Sequence, residues 1–248
     1  MRIIADLSVN FQGLDDIIDT INAVQCDYIK LQWYSEKDLY GSGSEETKLN
    51  PDWLDQIDWA CKNKNKRLLC TVFDSDKVRI VDKYVYMHKV ASSEITDKEL
   101  LKQIALCRKP VIVSTGGATK DQILTAKGIL YGLPVTFLAC DVEYPAKRHN
   151  VRKMLQLKNW FPNDKVGYSD HSLDIESFPI LCSHYQASIF EKHVKPTLDH
   201  PSYEAHALTV VEFNEMVEAM AGRGGRFISN PHQRIADASI KKYVRPRV

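Results

Sequence analysis

Lys165-Val-Gly-Tyr-Ser-Asp-His171 and Ala187-Ser-Ile-Phe-Glu-Lys-His193 decide the fold. Each is a short apolar run that passes abruptly into a cluster of ionisable groups. Strands of an α/β barrel have this character where they meet the active-site face. On neighbouring strands, about 4.8 Å apart, His171 and His193 can share one small ion.

The pattern extends in both directions. Runs rich in Ile, Val, Leu and Tyr recur at 2–6, 27–32, 67–73, 85–91, 110–114, 134–139, 165–169 and 187–191. Between them lie segments with helical spacing, such as Leu14, Ile17, Ile18, Ile21 and Val24. Eight strand–helix alternations predict parallel strands with right-handed crossovers, hence an α/β fold of the (β/α)8 TIM-barrel class. The chain has 248 residues, the usual size of one such barrel. The reading places the barrel at 1–222, with a helix from about 209 to 221 and a tail over 223–248 packed on or extending from the barrel. The Gly/Ser-rich stretch within 33–52 is a candidate lid or a plain surface loop.

Composition narrows the function. With 33 basic and 32 acidic residues, no broad basic field invites nucleic acid or an anionic membrane. The six cysteines are scattered without a C-x-x-C pair and read as reduced thiols. Asp6 interrupts the N-terminal apolar run, and no segment has the 18 or so apolar residues that span a bilayer. A cytoplasmic enzyme is expected.

Polar residues gather at the predicted strand ends: Asp6, Lys30, Gln32, Thr71 (just before Phe73), Lys89, Ser92, Glu94, Ser114, Tyr144, Ser169, His171, Glu191 and His193. The pairs 30/32, 92/94, 169/171 and 191/193 are two apart and should project to one side of extended chain. An inward lysine without an anionic partner is costly to bury. Lys30 and Lys89, with hydroxyls and the Gly116-Gly117 amides nearby, therefore look like a cradle for phosphate or carboxylate. The two histidines, with Asp6 expected beside His193, suit a hard or borderline divalent ion with open water positions. The residues alone lead to a barrel enzyme acting on a phosphorylated or carboxylated substrate.

The blocks Ile-Lys30-Leu-Gln32, His-Lys89-Val-Ala-Ser92-Ser-Glu94, Ser114-Thr-Gly-Gly, Tyr144-Pro, Gly-Tyr-Ser169-Asp-His171 and Glu-Lys192-His193 together resemble the sialic acid synthase family. The resemblance runs in order from residue 2 to about 220. It concerns the catalytic barrel, without the antifreeze-like C-terminal domain of that family. It implies condensation of phosphoenolpyruvate with the open-chain aldehyde of an N-acyl hexosamine, giving a nonulosonic acid and phosphate. It further implies Glu94, Asp6 and Lys89 as catalytic residues. Lys30, Gln32, Thr71, Phe73, Ser92, Ser114, Tyr144, Ser169 and Asp199 would bind substrate, and His171 and His193 would hold Mn2+ or Mg2+. A homodimer is compatible with it. Departures from the family pattern include Asp6 for its Glu, Val142 for its Asn and Asp141 for a common Thr. A Schiff-base aldolase using Lys89 and a ligand-binding member without turnover are the alternatives.

Overall fold

The structure, a computed structural model, describes residues 1–147, 150–196, 200 and 203–222. Asp199 and the tail at 223–248 lie outside the described residues. Eight parallel strands form the barrel: β1 (Arg2–Ser8), β2 (Tyr28–Trp33), β3 (Arg67–Val72), β4 (His88–Val90), β5 (Val111–Ser114), β6 (Val135–Cys140), β7 (Lys165–Asp170) and β8 (Ile189–Lys195). They follow one another in order, and β1 pairs with β8, so the sheet closes. A two-residue strand, β9 (Leu208–Thr209), adds to the end of β8.

The helices are α1 (Leu14–Ala23), α2 (Glu36–Tyr40), α3 (Leu54–Asn63), α4 (Val78–Asp82), α5 (Lys98–Leu106), α6 (Lys120–Ile129), α7 (Val151–Trp160), α8 (Ser177–His184) and α9 (Val210–Met220). Their apolar faces meet the outward residues of the strands in one large core, with Ile17, Ile21, Leu54, Ile57, Leu100 and Ile104 buried. None is long and apolar enough to cross a membrane. All six cysteines are free thiols.

A second apolar cluster lies apart from that shell: Ile4, Leu69, Met87, Ile112, Leu138 and Ile189, with Tyr28 against it. It joins residues from five strands with Met87, which stands just before β4, and fills the barrel interior. Because strand side chains alternate, the residue two positions further on points inward again, one layer closer to the strand C-termini. Those residues are Asp6, Lys30, Thr71, Lys89, Ser114, Cys140 and Glu191, with Ser169 from β7. An apolar floor therefore carries a polar layer. Gly167 stands where β7 would supply the next floor residue. A Cβ there would lie 2.1 Å from the Ile189 carbonyl oxygen and 2.8 Å from Leu138 Cδ2, so the close approach of β7 to β8 requires glycine.

Three boundaries differ from the sequence reading. β4 is only three residues long, because Val85 still closes the turn of α4 through its bond to the Val81 carbonyl. β8 runs on to Lys195, so His193 lies within it. Ser92 to Glu94 form a 3-10 turn, so strand alternation does not set those two side chains to one side. The excursion over 33–52 contains α2, capped reciprocally by Ser35 and Asp38, and is tied back by a Ser35–Thr47 bridge and the Lys77–Asp38 ion pair.

Candidate active site

The polar layer is a network of charges centred on Glu191. Its Oε1 lies 3.1 Å from Lys30 Nζ and 3.6 Å from Lys89 Nζ, and accepts a hydrogen bond from Ser169 Oγ at 2.8 Å. Lys30 also meets Asp6 Oδ2 at 2.7 Å, and Gln32 donates to the same oxygen at 3.2 Å. Lys89 donates to Ser114 Oγ at 2.8 Å. The two inward lysines thus have anionic partners on the chain itself, where the sequence reading looked to a bound phosphate or carboxylate. Strand register explains this: Asp6 stands beside Lys30, and Ser169 beside Glu191.

These contacts set the charge states. Burial works against a charge on Lys30, but Asp6 and Glu191 outweigh it and raise its pKa. Burial dominates at Lys89 and lowers its pKa despite Glu191. Glu191 is held below the usual carboxylate range, because Lys30 and Lys89 overcome the cost of burying its charge. Thr71 Oγ1 and Glu191 Oε2 are buried without a hydrogen-bond partner among the described residues. Such groups are costly to leave unpaired in a sealed core and suit a polar ligand.

The loop after β5 closes one side. The Gly116 amide donates to Ser92 Oγ at 3.0 Å, and that hydroxyl is 3.1 Å from Cys140 Sγ. A Cβ at Gly116 would lie 2.7 Å from Cys140 Sγ and 2.8 Å from Val142 Cγ1, so a larger residue would have to push these side chains aside. Glu94 is fully buried just after β4, and Phe73 is buried edge-on against Tyr34 at 5.2 Å.

Beside the carboxylates stands a corner of imidazoles. His193 Nε2 is 3.0 Å from Asp6 Oδ2, and its Nδ1 is 2.6 Å from Glu204 Oε2. Burial opposes protonation of His193, but the two carboxylates raise its pKa overall. His171 Nδ1 is 2.6 Å from the Asp141 carbonyl oxygen, which makes Nδ1 the donor and leaves Nε2 with its lone pair. Burial, reinforced by His193 and His206, pushes the His171 pKa well down, so the ring is neutral. His206 is buried; burial and His193 bring its pKa down to about 3. The Tyr144 ring centroid is 4.2 Å from that of His171 and 4.9 Å from that of His206.

Of the residues singled out from sequence, Asp6, Lys30, Gln32, Lys89, Ser114 and Ser169 join one network with Glu191, and His193 touches it through Asp6. His171 reaches its edge, with Nε2 3.4 Å from Ser169 Oγ. The pairing role of Glu191 was not anticipated, although its position two before His193 on β8 put it on the correct face. Glu204 and His206 were missed altogether. They arrive on the loop between β8 and β9, where no periodic pattern marks them. Asn10, part of the family-like N-terminal block, was given no role. Its side chain donates to Glu204 Oε2 at 3.0 Å and accepts from the Glu204 amide at 2.8 Å.

Fold and site together define a (β/α)8 barrel enzyme whose reactive groups stand at the C-terminal ends of the strands. The model of the NeuB family matches residues 17–223. Pseudaminic acid synthase of Campylobacter jejuni is 28% identical over 249 residues, covering 88% of this chain and 72% of that protein. The crystal structure of spore coat polysaccharide biosynthesis protein SpsE from Bacillus subtilis superposes with a TM-score of 0.82 at 24% identity, covering 98% of this chain and 74% of the other. That of N-acetylneuraminic acid synthetase from Leptospira borgpetersenii gives 0.79 at 25% identity, covering 94% and 88%. The chain belongs to the NeuB family, and with it to the sugar-acid synthases of the transferase class.

Proposed function

We propose that this chain condenses phosphoenolpyruvate with the open-chain aldehyde of an N-acyl hexosamine, forming a nonulosonic acid and releasing phosphate. The observation that carries the proposal is the joining of Lys30 and Lys89 through Glu191, directly beside a cluster of buried imidazoles. An ammonium has three donors. Lys89 gives one to Ser114 and lies at the longer distance from Glu191, so it can turn toward a phosphate or carboxylate. Thr71, Ser92, Ser114 and Ser169 add hydroxyl groups, and Gln32, already in the network through Asp6, and Phe73 complete the set that binds phosphoenolpyruvate.

In the reaction, C3 of the enolpyruvate attacks the aldehyde carbon and water adds at C2. Phosphate then leaves with cleavage of its C–O bond. Glu94 is the acid–base group near the reacting carbons. Asp6 orients polar groups beside His193, and Tyr144 and Asp199 contact the sugar. His171 and His193 would hold Mn2+ or Mg2+. The fit rests on the lone pair of His171 Nε2 and on the buried, unpartnered His206 Nε2 beside it. When bound, such an ion supplies Lewis acidity toward the aldehyde oxygen. The enzyme works as a cytoplasmic protein, and a homodimer is compatible with the fold.

The depressed pKa of Lys89 also favours a second reading, a Schiff-base aldolase. One assay separates the two. Phosphate release is followed with phosphoenolpyruvate, Mn2+ and a panel of free and phosphorylated N-acyl hexosamines. Sugar-dependent release that EDTA abolishes is the expected result. No release with any sugar, together with a borohydride-trapped pyruvate adduct on Lys89, would overturn the synthase reading.

A further inference from the structure

His206 presents an unusual combination. The ring is 7% exposed, and its Nε2 has no hydrogen-bond partner among the described residues. That nitrogen lies 3.8 Å from Glu204 Oε2, which in turn is 2.6 Å from His193 Nδ1. One ligand-type atom from each of His193, Glu204 and His206 lies within 4.8 Å of the other two. Atoms bound to one ion at about 2.1 Å sit roughly 3.0–3.5 Å apart when cis, so little movement separates this arrangement from a coordination set.

The ring spacings lie within about half an ångström of those of a coordination set. Imidazoles bound through one nitrogen place their centroids about 3.2 Å from the ion, and hence roughly 4.5–5.3 Å from each other. The centroid distances are 4.3 Å for His193–His206, 5.4 Å for His171–His193 and 5.8 Å for His171–His206. The carboxylate is fixed independently. Ser8 Oγ donates to Glu204 Oε1 at 2.9 Å, and Asn10 grips both the side chain and the amide of Glu204. The end of β1 thus holds the loop so that Glu204 and His206 face β8.

We propose that Glu204 and His206 are ligands of the divalent ion in their own right, completing with His193 and His171 a three-imidazole, one-carboxylate set. The inference rests on the metal reading of the site given above and replaces its two-histidine set with a four-residue one. A borderline ion such as Co2+ or Zn2+ suits such ligands better than Mg2+, which prefers oxygen and water, and Mn2+ stands between them.

The test is ion binding, measured apart from turnover on the full chain. Mn2+ affinity is determined by calorimetry and by the loss of the free-ion EPR signal for the wild type, His171→Ala, His193→Ala, His206→Ala, His206→Gln and Glu204→Gln. Pulsed EPR reports the number of imidazole nitrogens coupled to the ion. Far-UV circular dichroism in EDTA selects variants that fold. The expected result is a loss of at least tenfold in affinity for His206→Ala or His206→Gln and for Glu204→Gln, with one coupled imidazole fewer in the His206 variants. Unchanged affinity and coupling in folded His206 variants, with binding lost in His171→Ala and His193→Ala, would overturn this inference and leave the two-histidine site standing. No Mn2+ binding by the wild type would overturn both.

Discussion

Glu191 does at one point what neither lysine could do alone. Lys30 and Lys89 are both buried inside a closed barrel, and a buried ammonium is tolerable only beside a negative charge. Removing Glu191 strips Lys89 of its anionic contact and leaves Lys30 with Asp6 alone. Glu191→Ala should therefore destabilise the fold by about 3–5 kcal/mol, read as a fall in the urea midpoint at unchanged m-value. A midpoint within experimental error of the wild type would show that the lysines are balanced otherwise. Glu94 calls for a different measurement, because its role is chemical. Glu94→Ala should cut turnover by about a thousandfold, the scale of a lost acid–base group, while phosphoenolpyruvate still binds by calorimetry. Full activity at saturating substrate would remove Glu94 from the mechanism.

At the level of elements, each strand writes its layer in steps of two: Ile4 then Asp6, Leu69 then Thr71, Met87 then Lys89, Ile112 then Ser114, Ile189 then Glu191. The apolar member joins the floor and the polar member joins the site, so packing and function are set by the same alternation. Gly167 followed by Ser169 is the exception, and it follows from space. A methyl group at Gly167 would collide with the β8 backbone, which cannot give way without parting Ser169 from Glu191. Gly167→Ala should cost roughly 3 kcal/mol, the upper end for overpacking. In any soluble fraction it should also weaken phosphoenolpyruvate binding. A stable variant with intact binding would mean that the two strands can separate without loss.

Across the whole molecule, stability should depend on pH through buried histidine outside the site as well as within it. His88 opens β4 on the helix-facing side, with Nε2 2.9 Å from Asp82 Oδ1 and Lys109 on the same carboxylate at 3.1 Å. Burial lowers the His88 pKa, and the favourable pull of Asp82 does not restore it. Since the folded pKa lies below the unfolded value near 6.5, the unfolded chain takes up the proton first as pH falls. The contribution of His88 is complete above about pH 6.5 and is lost as pH drops toward the folded value, by at most about 1.4 kcal/mol per pH unit. The urea midpoint should therefore fall between pH 7.5 and 5.5, and less steeply in His88→Gln. Equal slopes in the two proteins would show that His88 is protonated alike in both states.

The barrel and most of its polar layer were legible in the sequence, because a period of two residues is a local property of an extended chain. The run from Ile-Ile-Ala-Asp6 through Ile-Phe-Glu-Lys-His193 carries that period strand after strand, and the synthase-like blocks sit on it in order. The tertiary structure alone decided three things. It turned Ser92 to Glu94 into a helical turn, set Glu191 between two lysines from other strands, and brought Glu204 and His206 against His193. Each depends on how far one strand is shifted against the next, or on the path a loop takes back to the barrel mouth. Those distances arise only when eight strands close on one another, so no stretch of the chain encodes them by itself.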